Sequence, residues 1–118
     1  MRELDAATFD AAIAGDPVLV DFWAPWCRPC RAVDAVLDQL ESEGGGRVAF
    51  AKLNIDEHPE IAARYEVLSI PTVILFAAGA VHGTVVGARP RSHFERWLAE
   101  VLPAGKLDGV AAQRQHDA

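Results

Sequence analysis

Two residues, Cys27 and Cys30, have the types and the spacing best suited to chemistry, and the chain has no other cysteine. They follow an apolar run from Val18 to Trp23, which predicts a strand buried on both faces, and they open a strongly patterned helix. Such a junction places the first helical N–H groups and the positive end of the helix dipole beside Cys27. A thiolate is stabilised there, so the pattern predicts a nucleophilic Cys27 near neutral pH. Cys30 lies one turn further on, close enough to form a disulfide with Cys27 after small adjustments.

Asp21 is the most informative polar residue, because it interrupts the apolar run that leads to Cys27. Burial of an uncompensated charge is expensive, so we expect the pKa of Asp21 to be raised. A carboxylate beneath the two cysteines would be able to accept and return the proton of Cys30, which is the work of a general base. The structural alternative is that Asp21 caps the strand end or pairs with Lys52.

Two other interpretations of the cysteine pair are weaker than redox chemistry. Two cysteines supply half of a tetrahedral zinc or iron site, and no pair of histidines stands nearby at ligand spacing, so no metal is expected. A purely structural disulfide is also disfavoured, because so short a loop restricts the unfolded chain little.

Length, charge and composition exclude several classes of protein. The 118 residues suit one compact domain, and the net charge of −6 argues against nucleic acid and anionic lipid as partners. No apolar run approaches the roughly 20 residues of a membrane span, and the N-terminus lacks the basic-then-apolar order of a signal peptide. Because both cysteines belong to one motif rather than to a disulfide framework, we expect a reducing, cytoplasmic location.

The rest of the chain predicts the elements that position these residues. Their order is helix, strand, helix, strand, helix, strand, strand, helix, with a brief edge strand ending near Leu4. The later strands are expected at 48–55, 72–76 and 81–86. Gly87 interrupts the last of these strands, which suggests a bulge or the close approach of another backbone. Early alternation implies parallel strands with crossovers, and the late hairpin implies an antiparallel edge. The prediction is an α/β fold with Cys27 at the carboxyl end of a central strand, where such sheets place their sites.

The helices show their own capping and packing signals. The helix after the motif has a buried stripe and an opposite face of charged residues expected in solvent. The stripe comprises Cys30, Val33, Val36, Leu37 and Leu40, and the solvent face comprises Arg31, Asp34, Asp38 and Glu41. Asp5 is expected to cap the first helix, and the run from Ser92 to Glu95 has the pattern of a capping box at the last.

Four blocks of sequence, taken together, resemble the thioredoxin family. They are Val20-Asp21-Phe22-Trp23-Ala24-Pro25-Trp26-Cys27, Lys52-Leu53-Asn54-Ile55-Asp56, Ile70-Pro71-Thr72 and Val86-Gly87-Ala88, in the family's order and at similar spacings. The resemblance extends from Leu4 to Leu102. It implies a central mixed β-sheet flanked by four helices, and reversible thiol–disulfide exchange with protein substrates. We therefore expect a thioredoxin-like domain at 1–103 and a flexible C-terminal tail at 104–118.

The resemblance also implies roles for individual residues. Cys27 would attack a target disulfide, and Cys30 would resolve the mixed disulfide and release the reduced target. Asp21 would exchange the proton of Cys30, with Lys52 as a nearby tuning charge, although a lysine on a surface strand is common in its own right.

A docking surface for an extended substrate is implied as well. The bond from Ile70 to Pro71 would be a cis peptide beside the disulfide, whereas the residues alone favour a trans proline at the start of a strand. The apolar patch around it would comprise Trp26, Pro29, Ile70, Val86 and Gly87.

Arg28 departs from the family pattern, in which the residue between the first cysteine and the proline is usually glycine. Together with Pro29, Arg28 is expected to tune the cysteine pKa values. A cation there favours the thiolate over the disulfide, which would make the protein a stronger oxidant. The alternative is that Arg28 points into water and matters little.

These expectations add up to a monomeric disulfide reductase with no bound cofactor. Its redox-active disulfide would receive electrons from NADPH through a separate enzyme that resembles thioredoxin reductase. Two alternatives stay open: an interaction module whose binding partner matters more than turnover, and a specialised electron donor to one partner enzyme.

Overall fold

The computed structural model describes residues 1–44 and 47–102. Nine elements follow one another along these residues. They are β1 (Arg2–Leu4), α1 (Phe9–Ile13), β2 (Val18–Trp23), α2 (Arg28–Ser42), β3 (Ala49–Asn54), α3 (Pro59–Arg64), β4 (Thr72–Ala77), β5 (Ala80–Val86) and α4 (Arg91–Val101). The order agrees with the sequence prediction, including the brief edge strand that ends at Leu4.

Five strands form one mixed sheet in the order β1-β3-β2-β4-β5. Strands β1 and β2 both run parallel to β3, whereas β4 is antiparallel to β2 and β5 is antiparallel to β4. Strand β2 therefore lies in the middle, and its carboxyl end leads directly to the cysteines. The predicted α/β fold, a mixed sheet flanked by four helices, is confirmed.

The two faces of the sheet pack against different pairs of helices. One buried cluster joins β2 to α1 and α3 through residues such as Phe9, Phe22 and Ile61. The other joins β2 to α2 and α4 through Leu19 and residues such as Leu37. Because side chains alternate along a strand, Asp21 lies on the same face as Leu19, under α2.

Two predictions about helix caps need correction. The Asp5 carboxylate accepts the N–H groups of Ala7 and Thr8, both at 2.9 Å, so it caps the turn before α1 rather than the helix itself. Helix α4 begins at Arg91 after Pro90, with no side-chain cap, so the capping box does not form. Instead, Glu95 accepts a hydrogen bond from Arg91 at 3.3 Å, one turn earlier.

Of the two alternatives predicted at Gly87, the bulge does not form, because β5 ends at Val86. Another backbone does approach closely, since the Gly87 N–H donates to the carbonyl of Pro71 at 2.9 Å. The φ of Gly87, 96°, is a backbone conformation that favours glycine. The irregularity in the hairpin lies instead between Leu75 and Phe76 of β4.

The predicted boundary at 103 and the flexible tail at 104–118 lie outside the described residues, so both stay predictions. Among the described residues, no helix is both long enough and apolar enough to cross a membrane.

Candidate active site

Cys27 and Cys30 are joined by a disulfide at the N-terminus of α2, as the motif predicts, with their Cα atoms 5.3 Å apart. Cys27 is the residue that caps the helix, in an extended conformation, and its sulfur accepts the backbone N–H of Cys30 at 3.2 Å. Pro29 fits the first turn, where its missing N–H leaves no hydrogen bond unmade. The sulfur of Cys27 therefore occupies the position where a helix stabilises negative charge.

The two cysteines pack into a small cluster of their own with Ala24, with Trp23 and Ile70 lying against it. Cys27 is 4% exposed and Cys30 is 1% exposed, so Cys27 is the more accessible of the two. This difference fits the expected roles, in which Cys27 meets the substrate and Cys30 reacts from within.

Asp21 lies in β2 with 0% of its surface exposed, and neither carboxylate oxygen has a hydrogen-bond donor among the described residues. Burial, and after it the neighbouring Asp34 carboxyl, raise the pKa of Asp21 to about 9, whereas the charge of Lys52 opposes the rise. At neutral pH Asp21 is therefore mostly protonated. It can give a proton to a developing thiolate, and its ionised form can remove one from a thiol.

Lys52 lies in β3 directly opposite Asp21 in the parallel register of the two strands. Its ammonium is 3.9 Å from Oδ2 of Asp34 and 4.7 Å from the ring centre of Trp23. Asp21 accepts no hydrogen bond from it. The direct pairing of Asp21 with Lys52, one of the two structural alternatives, is therefore not formed. The charge of Lys52 still lowers the pKa of Asp21 from nearby, and its tuning role stays a prediction.

Asp34 is a site residue that sequence reasoning assigned wrongly to the solvent face of α2. Its side chain is only 22% exposed, and its Oδ1 is buried without a hydrogen-bond donor among the described residues. The signal was present in the spacing, because Asp34 follows Cys30 by four residues and so lies on the same side of the helix.

Three of the predicted docking residues lie at the loop before β4 and at the end of β5, namely Ile70, Val86 and Gly87. The peptide from Ile70 to Pro71 is cis, as the resemblance implied, and Pro71 accepts the N–H of Gly87 at 2.9 Å. Val86 pairs with Thr72 across the sheet and is 52% exposed.

Trp26 is the largest exposed apolar side chain next to the disulfide, at 67% exposure. Its indole N–H is 3.0 Å from one carboxylate oxygen of Asp56 and 3.2 Å from the other. Asp56 is itself held by Asn54, whose side chain accepts the Asp56 N–H at 2.9 Å. In the sequence Asp56 stood out only as the end of a block that resembles the family, so its contact with Trp26 was missed.

Arg28, the departure from the family pattern, lies exposed at the first position of α2. Its exposure fits either a tuning cation or a solvated side chain. No cluster of three or more His, Cys, Asp or Glu residues suited to a metal ion is found within 1–44 and 47–102.

Comparison with known proteins gives the same family as the motifs. The thioredoxin family model matches residues 1–100. The chain is 46% identical over 100 residues to a thioredoxin of Alicyclobacillus acidocaldarius subsp. acidocaldarius, with 84% of this chain and 95% of that protein covered. It is 45% identical over 96 residues to a thioredoxin of Staphylococcus aureus (strain Mu50), with 81% and 88% covered.

A third relative combines two activities in its name. The chain is 44% identical over 100 residues to a bifunctional thioredoxin reductase/thioredoxin of Mycobacterium leprae (strain TN), with 84% of this chain and 22% of that protein covered. The extent of these matches, together with the disulfide at the start of α2, establishes that the chain belongs to the thioredoxin family.

Proposed function

We propose that the protein reduces disulfides in protein substrates by dithiol–disulfide exchange through Cys27 and Cys30. One observation carries the proposal: the sulfur of Cys27 accepts the Cys30 N–H at the start of α2, directly after the strand that carries the buried Asp21. A sulfur held in this way is stabilised as a thiolate, and the thiolate is the form that attacks disulfides.

The reaction takes two steps and transfers two electrons. The Cys27 thiolate attacks one sulfur of the target disulfide, forms a mixed disulfide, and releases the other target sulfur as a thiolate. The sulfur of Cys30 then attacks Cys27, forms the Cys27–Cys30 disulfide, and releases the second target sulfur. The target gains two electrons and the cysteine pair loses two.

Asp21 acts as the general base of the second step. Its ionised carboxylate takes the proton from the Cys30 thiol, and in the reverse reaction its protonated form returns it. Lys52 favours the ionised form of Asp21, because its positive charge lowers the pKa that burial raises.

The substrate binds along an apolar patch formed by Trp26, Pro29, Ile70, Val86 and Gly87. The exposure of Trp26 and Val86 leaves apolar surface for an extended segment of the target. Pro71 borders the patch and places the backbone of Ile70 next to the cysteine cluster. Substrate specificity is therefore broad, because binding through an apolar patch and backbone contacts depends little on the amino-acid sequence of the target.

Electrons come from NADPH through a separate thioredoxin-reductase-like enzyme, in the cytoplasm, and the protein works as a monomer without a bound cofactor. A bifunctional thioredoxin reductase/thioredoxin among the relatives supports a reductase as the source. Arg28, on the docking side of α2, would make the pair a stronger oxidant than one with glycine at that position.

Turnover of insulin with dithiothreitol as electron source tests the proposal. We expect rapid reduction by the wild type and none by Cys27→Ser. In a separate capture experiment without dithiothreitol, Cys30→Ser should accumulate mixed disulfides, because the second step then has no resolving thiol. A wild type that does not turn over, or a Cys30→Ser variant that captures no substrate, would refute general reduction. Binding of a partner without turnover would point to an interaction module instead.

A further inference from the structure

A second carboxylate, that of Asp34, reaches the site from α2, and the mechanism proposed above does not use it. Asp34 follows Cys30 by one helical turn, its Oδ2 is 3.9 Å from the Lys52 ammonium, and its Oδ1 is buried. A helix residue that was simply solvated would have neither a buried carboxylate oxygen nor a contact with a lysine of the sheet.

Three buried carboxylate oxygens, on neighbouring side chains of β2 and α2, have no donor from the described residues. They are both oxygens of Asp21 and Oδ1 of Asp34. Two ionised carboxylates at close range repel each other, so the pair is stable when it holds one proton, which also supplies a donor between them. The raised pKa of Asp21 agrees with this, because after burial Asp34 is the group that raises it most.

The other elements around Asp21 supply little that could replace Asp34. From β3 comes the charge of Lys52, and from α2 comes a weaker contribution of Asp38. From β4 the partner of Asp21 is the apolar Val73. Lys52 is the one cation among the groups that perturb Asp21, and its ammonium pairs with Asp34 rather than with Asp21.

We propose that Asp34 is a positioning residue for the resolving step: it keeps the Lys52 ammonium in its own ion pair and shares a proton with Asp21, and thereby limits how readily Asp21 becomes the base that activates Cys30. The inference rests on the proposed function, because it takes Asp21 to accept the Cys30 proton.

The atoms of the affected step balance as follows. The proton of the Cys30 thiol moves to the Asp21 carboxylate, and the Cys30 sulfur forms a bond to Cys27. The bond from Cys27 to the target sulfur breaks, and its electron pair leaves with the target as a thiolate. Asp34 takes part in no bond change; it sets what fraction of Asp21 is ionised when the step begins.

The variant Asp34→Asn isolates this effect, since asparagine keeps the size of the side chain and removes its charge. Without the Asp34 carboxylate, repulsion on Asp21 falls and Lys52 is free to favour its ionised form. We expect Asp21 to ionise at a pH lower by about one unit, which makes the resolving step about tenfold faster near pH 7.

Stopped-flow mixing of the reduced protein with a chromogenic aromatic disulfide separates the two steps. The first phase depends on reagent concentration, whereas the second is the intramolecular attack of Cys30 and does not. The pH midpoint of the second phase is compared between the wild type, Asp34→Asn, Asp34→Glu and Glu41→Gln. Glu41 is a matched control, because it is a carboxylate on α2 that pairs with the N-terminal amine at 3.2 Å and not with Lys52.

The inference predicts a lower midpoint for Asp34→Asn, recovery toward the wild type in Asp34→Glu, and no change in Glu41→Gln. It is overturned if Asp34→Asn stays within about 0.3 pH unit of the wild type, or if Glu41→Gln shifts as far. The variant Asp21→Asn tells the two failures apart. If it alters the profile while Asp34→Asn does not, only the role of Asp34 is wrong; if it leaves the profile unchanged, the base assigned to Asp21 fails, and the role of Asp34 with it.

Discussion

The backbone N–H of Cys30 donates a hydrogen bond to the sulfur of Cys27 at 3.2 Å, across the first turn of α2. Cys27 carries no charge while the disulfide is closed. In the reduced protein the same N–H and the helix dipole would stabilise a thiolate at Cys27, which is the more exposed of the two cysteines.

The first prediction concerns Asp21 and the pH dependence of stability. The folded protein keeps a proton on Asp21 up to a pKa of about 9, whereas the unfolded chain releases it near the ordinary value of 3.8. Between these pH values the folded state binds the extra proton, so the free energy of unfolding falls as pH rises. In Asp21→Asn this decline is lost, and the oxidised variant should be more stable than the wild type at pH 8 by about 2–4 kcal/mol.

Urea unfolding of the oxidised protein from pH 5 to pH 9 measures this effect. Glu57→Gln serves as the control, since it removes an exposed carboxylate between β3 and α3. A wild-type stability that does not change over this range, or an Asp21→Asn variant that is less stable at pH 8, would contradict the buried, protonated state of Asp21.

The second prediction concerns Arg28 and the reduction potential. A cation beside Cys27 stabilises a thiolate that exists only in the reduced form, so its removal favours the disulfide. Arg28→Ala should therefore have a potential more negative by about 10–30 mV, a range that allows for solvent screening of an exposed charge.

Equilibration with a glutathione buffer of known potential provides the measurement. Arg96→Ala, which removes an exposed cation from α4, should leave the potential unchanged. Equal potentials for the wild type and Arg28→Ala would mean that Arg28 is simply solvated.

The third prediction concerns the docking surface at Val86. An aspartate in place of Val86 puts a charge where an apolar substrate segment would bind, so Val86→Asp should raise the KM for insulin about three- to tenfold. Val81→Asp is a matched control, because Val81 lies in the same strand and is exposed to a similar degree, 49% against 52%. It should behave like the wild type.

A small aromatic disulfide makes no use of the docking surface, so both valine variants should reduce it at the wild-type rate. If Val86→Asp and Val81→Asp reduce insulin equally well, the surface around Val86 does not bind substrate.

Most of the fold could be predicted from the sequence, because along most of the chain the local preference for helix or strand agrees with the pattern of buried residues. The apolar run before Cys27 became the central strand β2, and the stripe through Val33 and Leu37 became the buried face of α2. The failures at the helix starts are local: Asp5 and Ser92 have the right types for caps, but neighbouring turns and Pro90 set where the helices begin.

The part of the candidate site that could be predicted consists of residues that lie close together in the sequence. Cys27, Cys30 and Asp21 all lie in or beside the junction of β2 and α2, so the motif located them together. Asp34 and Asp56 were missed because their roles depend on which residues face them from other elements. A charged residue on a helix is usually solvated, and only the packing of α2 over β2 and β3 turns Asp34 inward.

The central claim is that Cys27 is an activated thiol, and the rate of its alkylation by iodoacetamide across pH tests that claim most directly. In the fully reduced protein, with the modified cysteine identified by mass spectrometry, we predict that Cys27 reacts first and that its rate rises with a midpoint at about pH 7 or below. A midpoint near pH 8.5, about that of an ordinary thiol, would contradict the account.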